Sequence, residues 1–290
     1  MDFGRLLVAM ATPFKDDLEL DIGRAKELAR RLVADGVTGI VVSGTTGESP
    51  TLNREEKIAL IKAVKAAVDV PVIANAGTND TRGSIANAKD AQEAGADGIL
   101  LVAPYYNKPD QDMLYDHFAA IAGSVKIPAM LYNVPGRTAV TIQPQTVVRL
   151  SHQVPNITST KDASGDLDGI TVIVNEAAKG FKVYTGEDSL TLPTLACGGY
   201  GVVSVAGHVV AAQMLAMIKA YLHGEVAEAA RLHGQLRAIN RALFLQPNPV
   251  PVKKALELCG FPVGGLRPPM KEASDAVVRE LKQALEGLGL

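Results

Sequence analysis

The sequence has no tryptophan and only two cysteines, and aromatic residues make up 4% of its 290 residues. The cysteines, Cys197 and Cys259, lie far apart in apolar surroundings, so a disulfide scaffold is excluded and two buried, reduced thiols are expected. This cysteine usage indicates a cytoplasmic chain. Its stability must come from a hydrophobic core, and hydrophobic residues make up 47% of the chain.

Long hydrophobic runs and an excess of one charge are also missing. The apolar run near the N-terminus covers only Leu6 to Ala11, which is too short for a signal peptide core or a membrane span. The formal net charge is −2 and no long basic run occurs, so neither nucleic acid nor a membrane is expected as a partner. The five histidines show no metal-ligand spacing, so no metal is expected.

What the chain does have is one pattern that recurs to about residue 210. A short β-rich apolar run is followed by an amphipathic helical stretch. The eight runs lie at 6–13, 39–44, 70–77, 98–104, 127–134, 157–164, 182–188 and 201–207. Strands that alternate with helices pair in parallel, and eight such units favour a closed (β/α)8 TIM barrel. The alternative, an open doubly wound sheet, needs a glycine-rich turn after its first strand, where this chain has ATPFKDD.

After residue 223 the strand pattern stops and only helices are predicted. Residues 225–246, 250–260 and 271–289 have helical spacing, and a stripe of apolar side chains marks the first of them: Leu232, Leu236, Ile239 and Leu243. We therefore predict a barrel over residues 1–223 and a C-terminal helical extension over 224–290, packed on the barrel or on a neighbouring subunit.

Polar side chains cluster where the predicted strands end, which is where the catalytic groups of such barrels gather. Lys161, in the segment NITSTKDASG, is the lysine at that end, whereas Lys126 and Lys182 lie at strand starts. The other candidates at this end are Thr45, Thr46, Glu48, Tyr105, Tyr106, Tyr132, Arg137, Gly186 and Glu187.

A lysine in this place can condense with a ketone to give an iminium ion, which makes the neighbouring carbon acidic and lets C–C bonds form or break without a metal. The amine must first lose its proton, and an apolar barrel interior favours the neutral form by desolvation. We expect Ile157, Val203 and Val205 to line that interior. The alternative is a structural lysine paired with Glu187 or Asp188, and position alone does not decide between the two.

Three tyrosines, Tyr105, Tyr106 and Tyr132, offer groups for proton transfer at the same end of the barrel. A phenol both donates and accepts, so it can carry a proton between the amine and a departing hydroxyl. An aromatic core is the alternative. The chain has only seven tyrosines, and the presence of three of them here favours a function.

Seven motifs together make the chain similar to a known family: GTTGES (44–49), APYYNKP (103–109), LYNVPGRT (131–138), STKDASG (159–165), TGEDS (185–189), GVVSVAG (201–207) and NPVPVK (248–253). In order and spacing they resemble the 4-hydroxy-tetrahydrodipicolinate synthase (dihydrodipicolinate synthase) family of pyruvate-dependent class I aldolases, over essentially the whole chain. The resemblance implies a lyase-type enzyme that condenses pyruvate with L-aspartate 4-semialdehyde in lysine and diaminopimelate biosynthesis. It also implies a covalent Schiff base and no cofactor.

The same resemblance implies which residues carry the chemistry. Lys161 is expected to be the Schiff-base lysine and Tyr132 the general acid and base, with Thr45 and Tyr106 relaying protons to it. In the family the residue at the place of Tyr106 comes from a neighbouring subunit. This implies a homo-oligomer, usually a tetramer built as a dimer of dimers.

On the substrate side, the resemblance implies that Thr46 binds the pyruvate carboxylate and Arg137 that of the aldehyde, while Gly186 and the Val203 carbonyl line the pocket. A guanidinium fork suits a short substrate that ends in a carboxylate. The alternative is another pyruvate aldolase or dehydratase of the superfamily, acting on 2-keto-3-deoxy sugar acids. A binding protein that kept the fold without the chemistry would lack the lysine or the Tyr-Thr relay, and all are present.

Ser49, Asn79 and Tyr105 match the site at which lysine inhibits some members of the family. Lys57 and Gly83 occupy positions where sensitive members often carry histidine or glutamate. An added cation and a missing anion repel a cationic ligand, so weak or absent inhibition by lysine is expected.

Overall fold

A computed structural model describes residues 2–290 and contains a closed barrel of eight parallel strands in chain order. The strands are β1 (Leu6–Ala9), β2 (Gly39–Val42), β3 (Val72–Asn75), β4 (Gly98–Val102), β5 (Ala129–Asn133), β6 (Ile157–Asp162), β7 (Lys182–Thr185) and β8 (Gly201–Ser204). The barrel closes where β8 pairs with β1, with Val203 beside Leu7. The TIM-barrel prediction is confirmed, and every strand lies within its predicted run.

Nine helices lie between the strands or directly after the last strand, and three more form the C-terminal extension. They are α1 (Ile22–Ala34), α2 (Arg54–Lys65), α3 (Thr81–Glu93), α4 (Gln111–Gly123), α5 (Pro135–Thr138), α6 (Pro144–Gln153), α7 (Leu167–Glu176), α8 (Thr191–Ala196), α9 (Gly207–Leu222), α10 (Val226–Ala242), α11 (Val250–Leu258) and α12 (Asp275–Glu286). Local sequence sets their starts: Asn53 and Glu56 form a reciprocal capping box at the start of α2. No helix of residues 2–290 is long and apolar enough to cross a membrane.

The buried side chains form an outer layer between strands and helices and a smaller cluster inside the barrel. Val203 belongs to the inner cluster, as predicted, but Ile157 and Val205 belong to the outer layer, so their prediction was wrong. A register shift on β6 explains Ile157, because Ala129 pairs with Ile157 while the next residue pairs with Ser159. The extra residue reverses the alternation of side chains. Val205 lies just beyond β8, where strand alternation no longer applies.

The extension forms the three predicted helices with shorter ends. The predicted stripe contributes to the core: Leu236 and Ile239 on α10 and Leu243 directly after it are buried, and Leu232 is partly buried. Backbone and side chains of the extension bond to the barrel, for example from the Phe14 N–H to the Val263 carbonyl at 3.0 Å. That residues 224–290 form a domain of their own stays a prediction.

The two thiols are free but only partly buried, so the expectation that both are buried was wrong. Cys197 directly follows α8 and Cys259 directly follows α11. At these helix ends the chain turns toward the surface, which local apolar composition does not reveal.

Candidate active site

A cavity of about 380 Å³ opens at the C-terminal ends of β2 to β5. It brings together five of the predicted site residues, Thr45, Ser49, Tyr105, Tyr132 and Arg137. The other lining residues are Pro50, Lys57, Asn75, Gly77, Thr78, Val102, Val134 and Thr138. No carboxylate is among these residues, so the cavity has a cationic and hydroxyl-rich wall that suits an anionic substrate.

Lys161 lies next to this cavity, near the end of β6 and beside Tyr132 on β5 and Tyr184 on β7. Its side chain is nearly buried, and Nζ lies 4.2 Å from the centroid of the Tyr132 ring. Tyr132 thus contacts the amine and also lines the cavity. Throughout residues 2–290, no ion pair or hydrogen bond is formed by Nζ. The structural alternative, a lysine paired with Glu187 or Asp188, is therefore not supported.

Asp188 is instead bonded to the end of β8. Its carboxylate accepts hydrogen bonds from the Val205 and Ala206 N–H groups at 3.0 and 2.9 Å, and from the Ser204 hydroxyl. Burial raises the pKa of Asp188, and burial together with the Asp188 charge raises the pKa of Glu187. Both carboxyl groups are thus harder to ionise than usual, and the nearby Lys161 charge only partly opposes the two shifts.

Gly186, at the end of β7, leaves the space that Lys161 occupies. A Cβ atom added there would lie 2.7 Å from Lys161 Cε and 2.9 Å from the Cβ of Ala163, and real Cβ atoms do not approach other atoms so closely. The Gly186 N–H donates to the Asp162 carbonyl at 2.6 Å, which fixes the backbone next to the lysine. A residue with a side chain would displace the amine.

The loop after β2 is held by the C-terminal extension. Asn248 Nδ2 donates to Thr46 Oγ1 at 2.8 Å, and both residues are buried. Two residues further on, Glu48 forms a buried ion pair with Lys253 at 2.6 Å and accepts from the Arg267 N–H at 3.0 Å. Sequence reasoning gave none of the three extension residues a role. The only signal was the motif NPVPVK, whose contacts to residue 46 and its loop are invisible in a local pattern.

The cavity is not lined by six residues with a predicted role: Lys161, Thr46, Gly186, Val203, Tyr106 and Asn79. Tyr106 is 88% exposed and has a backbone φ of 77°, a conformation that bulky residues rarely adopt. Asn79 is partly buried, and its carbonyl accepts from the Asn107 side chain at 2.9 Å. The chain by itself therefore assembles Lys161, Tyr132 and Thr45 but not Tyr106.

His208, past the end of β8, is a buried structural residue. Its Nε2 accepts from the Ala11 N–H at 3.0 Å, so the ring proton is on Nδ1, which donates to the Val205 carbonyl at 2.8 Å. Burial lowers its pKa to about 4. Among residues 2–290, no group of three or more histidine, cysteine, aspartate and glutamate side chains could hold a metal ion.

Known proteins match the chain over its full length. A sequence model of the Dihydrodipicolinate synthetase family matches residues 2–288. A 4-hydroxy-tetrahydrodipicolinate synthase from Heliobacterium modesticaldum is 51% identical, over 100% of this chain and 97% of the relative. One from Bacillus subtilis is 49% identical, over 93% of this chain and 94% of the relative.

Solved structures similar to this chain come from the same family. A dihydrodipicolinate synthase from Cyanidioschyzon merolae, solved with lysine bound, superposes with a TM-score of 0.98 and 42% identity over 99% of both chains. One from Bacillus anthracis has a TM-score of 0.96 and 47% identity over 99% of this chain and 98% of the other. The predicted synthase function and enzyme class are confirmed by these relatives, and the chain belongs to the dihydrodipicolinate synthetase family.

Proposed function

We propose that the chain condenses pyruvate with L-aspartate 4-semialdehyde through a Schiff base on Lys161, in lysine and diaminopimelate biosynthesis. The observation that supports this most strongly is the setting of Lys161. Within residues 2–290 its amine has no carboxylate partner, and it lies 4.2 Å from the ring centroid of a tyrosine that lines the substrate cavity. A nucleophilic amine needs such a place, because a carboxylate at its side would hold the proton on nitrogen.

The chemistry follows from an amine and a proton carrier in contact. The neutral Lys161 nitrogen attacks the ketone carbon of pyruvate, and the carbinolamine loses water to give an iminium ion. The methyl carbon of pyruvate then loses a proton, and the resulting enamine attacks the aldehyde carbon of the second substrate. The amino group of that substrate displaces the lysine and closes the ring of the product, which returns the free amine.

Tyr132 is the proposed carrier of these protons, since its ring contacts the amine and it also lines the cavity. Thr45 lines the same cavity and is the candidate for passing protons to Tyr132. Gly186 contributes by leaving space beside the amine. Val203, in the inner core, is the candidate for a carbonyl that lines the pyruvate pocket.

Thr46 and Arg137 are the proposed binding groups for the two carboxylates. Arg137 is exposed at the cavity, and within residues 2–290 its guanidinium has no hydrogen bond or ion pair. Its paired N–H groups are therefore available for the carboxylate of the aldehyde. The Thr46 hydroxyl, which accepts from Asn248, is the proposed donor to pyruvate.

Tyr106 is proposed to complete the proton relay in the site of a neighbouring subunit. It is largely exposed and does not line the cavity of its own chain, although a tyrosine side chain carries a large apolar surface. An oligomer would bury it, and we propose a homotetramer built as a dimer of dimers. The reaction needs no cofactor beyond the covalent adduct, and we propose a cytoplasmic location.

Trapping the adduct tests the proposal. Borohydride added with pyruvate should fix a pyruvyl group on Lys161, identified by peptide mass spectrometry, and Lys161→Ala should carry none. An adduct on another lysine, or no adduct at all, contradicts the mechanism. Substrate choice needs a second assay, in which aspartate semialdehyde should be turned over far faster than 2-keto-3-deoxygluconate or N-acetylneuraminate are cleaved. The opposite order would favour a sugar-acid aldolase.

Weak or absent inhibition by lysine is part of the proposal. Lys57 lines the cavity together with Ser49 and Tyr105, and burial lowers its pKa. Gly83 lies in the first turn of α3 and offers no anion. A cationic effector would face Lys57 and Arg137 without a carboxylate. Lysine titration should leave activity almost unchanged, and Lys57→Glu should lower the half-inhibitory concentration by about tenfold or more. Half-inhibition of the wild type at sub-millimolar lysine would contradict this.

A further inference from the structure

The C-terminal extension contacts Thr46, a proposed site residue in the loop after β2. Asn248 lies in the loop between α10 and α11, and its side chain contacts Thr46 across 202 residues of sequence. We propose that Asn248 is a positioning residue, which turns the hydroxyl proton of Thr46 toward the carboxylate of pyruvate. The inference rests on the proposed function, because it concerns how that substrate is bound.

The direction of one hydrogen bond carries the argument. A threonine hydroxyl has one donor and two acceptor positions. Asn248 Nδ2 donates to Thr46 Oγ1 at 2.8 Å, which occupies an acceptor position. Within residues 2–290 the Thr46 hydroxyl has no other hydrogen-bond partner, so its proton is free for an acceptor outside the chain. A carboxylate is the acceptor that a buried hydroxyl proton without a partner in the chain suits best.

A buried ion pair fixes this arrangement. Lys253, on α11, pairs with Glu48 at 2.6 Å, and only 4% and 3% of the two side chains are exposed. Lys253 Nζ also donates to the Gly265 carbonyl at 2.7 Å, and the Arg267 N–H donates to the second Glu48 oxygen. Desolvation makes such a pair a poor source of stability. Its effect is to set the register between the extension and the loop that carries Thr46.

A double-mutant cycle separates positioning from simple structural support. Asn248→Ala should raise KM for pyruvate by about 5- to 10-fold and change kcat less, as expected for one lost hydrogen bond. Thr46→Val should raise KM at least as much, and the double variant should match Thr46→Val alone. Independent, additive effects in the cycle would overturn the proposal.

Asn248→Asp gives the sharper test. The aspartate has nearly the same shape but only acceptor atoms, so the Thr46 hydroxyl donates its hydrogen bond to the aspartate. The Thr46 oxygen then presents only lone pairs to the substrate carboxylate. KM for pyruvate should rise well beyond the Asn248→Ala value, by about 100-fold. Asn240→Asp is the matched control, a buried asparagine on α10 of the same extension, and should leave KM unchanged. If Asn248→Asp binds pyruvate as well as the wild type, the proposal is wrong.

Two further readouts keep the outcomes separate. Circular dichroism and thermal unfolding establish that each variant is folded, and the Asn248→Ala cycle stands if the aspartate variant does not fold. Borohydride trapping of pyruvate on wild-type Lys161 tests the proposed function itself. A missing adduct overturns that function, whereas a normal adduct with an additive cycle overturns only the role of Asn248.

Discussion

Lys161 and Lys182 lie on neighbouring strands of one barrel, and their side-chain nitrogens have almost the same aromatic contact. Lys161 Nζ is 4.2 Å from the centroid of the Tyr132 ring, and Lys182 Nζ is 4.1 Å from that of Tyr200. The difference is the counter-ion. Lys182 pairs with Asp2 at 2.6 Å, whereas Lys161 has no such partner in the part of the chain that the structure describes.

The two lysines also lie at opposite ends of the barrel. Lys182 is the first residue of β7, where Asp2 joins it to Tyr200, whose hydroxyl donates to the same carboxylate at 2.6 Å. Lys161 is the last residue but one of β6, next to the cavity. Contact between a lysine and a tyrosine ring therefore does not by itself indicate a catalytic function. The role of each lysine depends on whether its charge is already paired, and on the end of the barrel at which it lies.

The most direct way to break this comparison is to remove each amine. Lys161→Ala should lower kcat/KM on the order of 10⁴-fold, because the covalent step has no substitute. Lys182→Ala should leave kcat within about 2-fold and reduce the free energy of unfolding by less than ~1 kcal/mol, the usual contribution of a partly exposed pair. Steady-state kinetics and chemical denaturation measure both. Comparable losses of activity in the two variants would refute the distinction.

Crowding Lys161 without removing it sharpens the comparison. Gly186→Ala places a Cβ 2.7 Å from Lys161 Cε, so the amine must move. A misplaced reacting group lowers kcat by about 10- to 100-fold, while the free energy of unfolding should fall by only ~1–3 kcal/mol. Gly123→Ala is the control, since a Cβ there meets no atom within 4 Å. Wild-type kcat in Gly186→Ala would show that the lysine has free space.

The fold follows from the sequence because each strand is an apolar run bounded by turn residues, and alternation with helices allows little but a parallel barrel. The side on which a given residue lies follows less well. Ile157 and Lys161 are four residues apart and would share a face of a regular strand, but the register shift between them puts Ile157 in the outer layer. A single extra residue in a strand leaves no mark in hydrophobic periodicity.

Some site residues could likewise be placed from the sequence, and others could not. Lys161, Tyr132, Thr45 and Arg137 could be placed from barrel geometry, because the ends of parallel strands meet at one mouth. Asn248 could not, since its bond to Thr46 spans the chain and its neighbours give only a proline-rich helix start. Pairwise contacts of this kind depend on how the extension packs, and packing is decided by many residues at once.

Two buried histidines, His117 and His208, should make the free energy of unfolding depend on pH. Burial lowers the pKa of His117 and of His208 to about 4, from 6.5 in the unfolded chain. The unfolded state then binds more protons, so stability falls as the pH drops from about 6.5 to 4, by on the order of 2–3 kcal/mol per histidine. His117→Leu should remove about half of this pH dependence in denaturation experiments. An unchanged slope would mean that His117 titrates normally.

The smallest effect on stability is expected for Asp2, at the end of the barrel where the strands begin. Burial opposes ionisation of Asp2, but hydrogen bonds from Lys182, Tyr200 and the Gly4 N–H outweigh it and lower the pKa to about 2. A lowered carboxyl pKa stabilises the fold above pH ~4, and that contribution is lost as the pH falls toward ~2. Because the Asp2 side chain is 59% exposed, solvent screening keeps the effect below ~1 kcal/mol. Asp2→Asn should therefore flatten the denaturation profile slightly between these pH values and leave kcat unchanged. A drop in kcat would mean that the end with Lys182 also contributes to the chemistry.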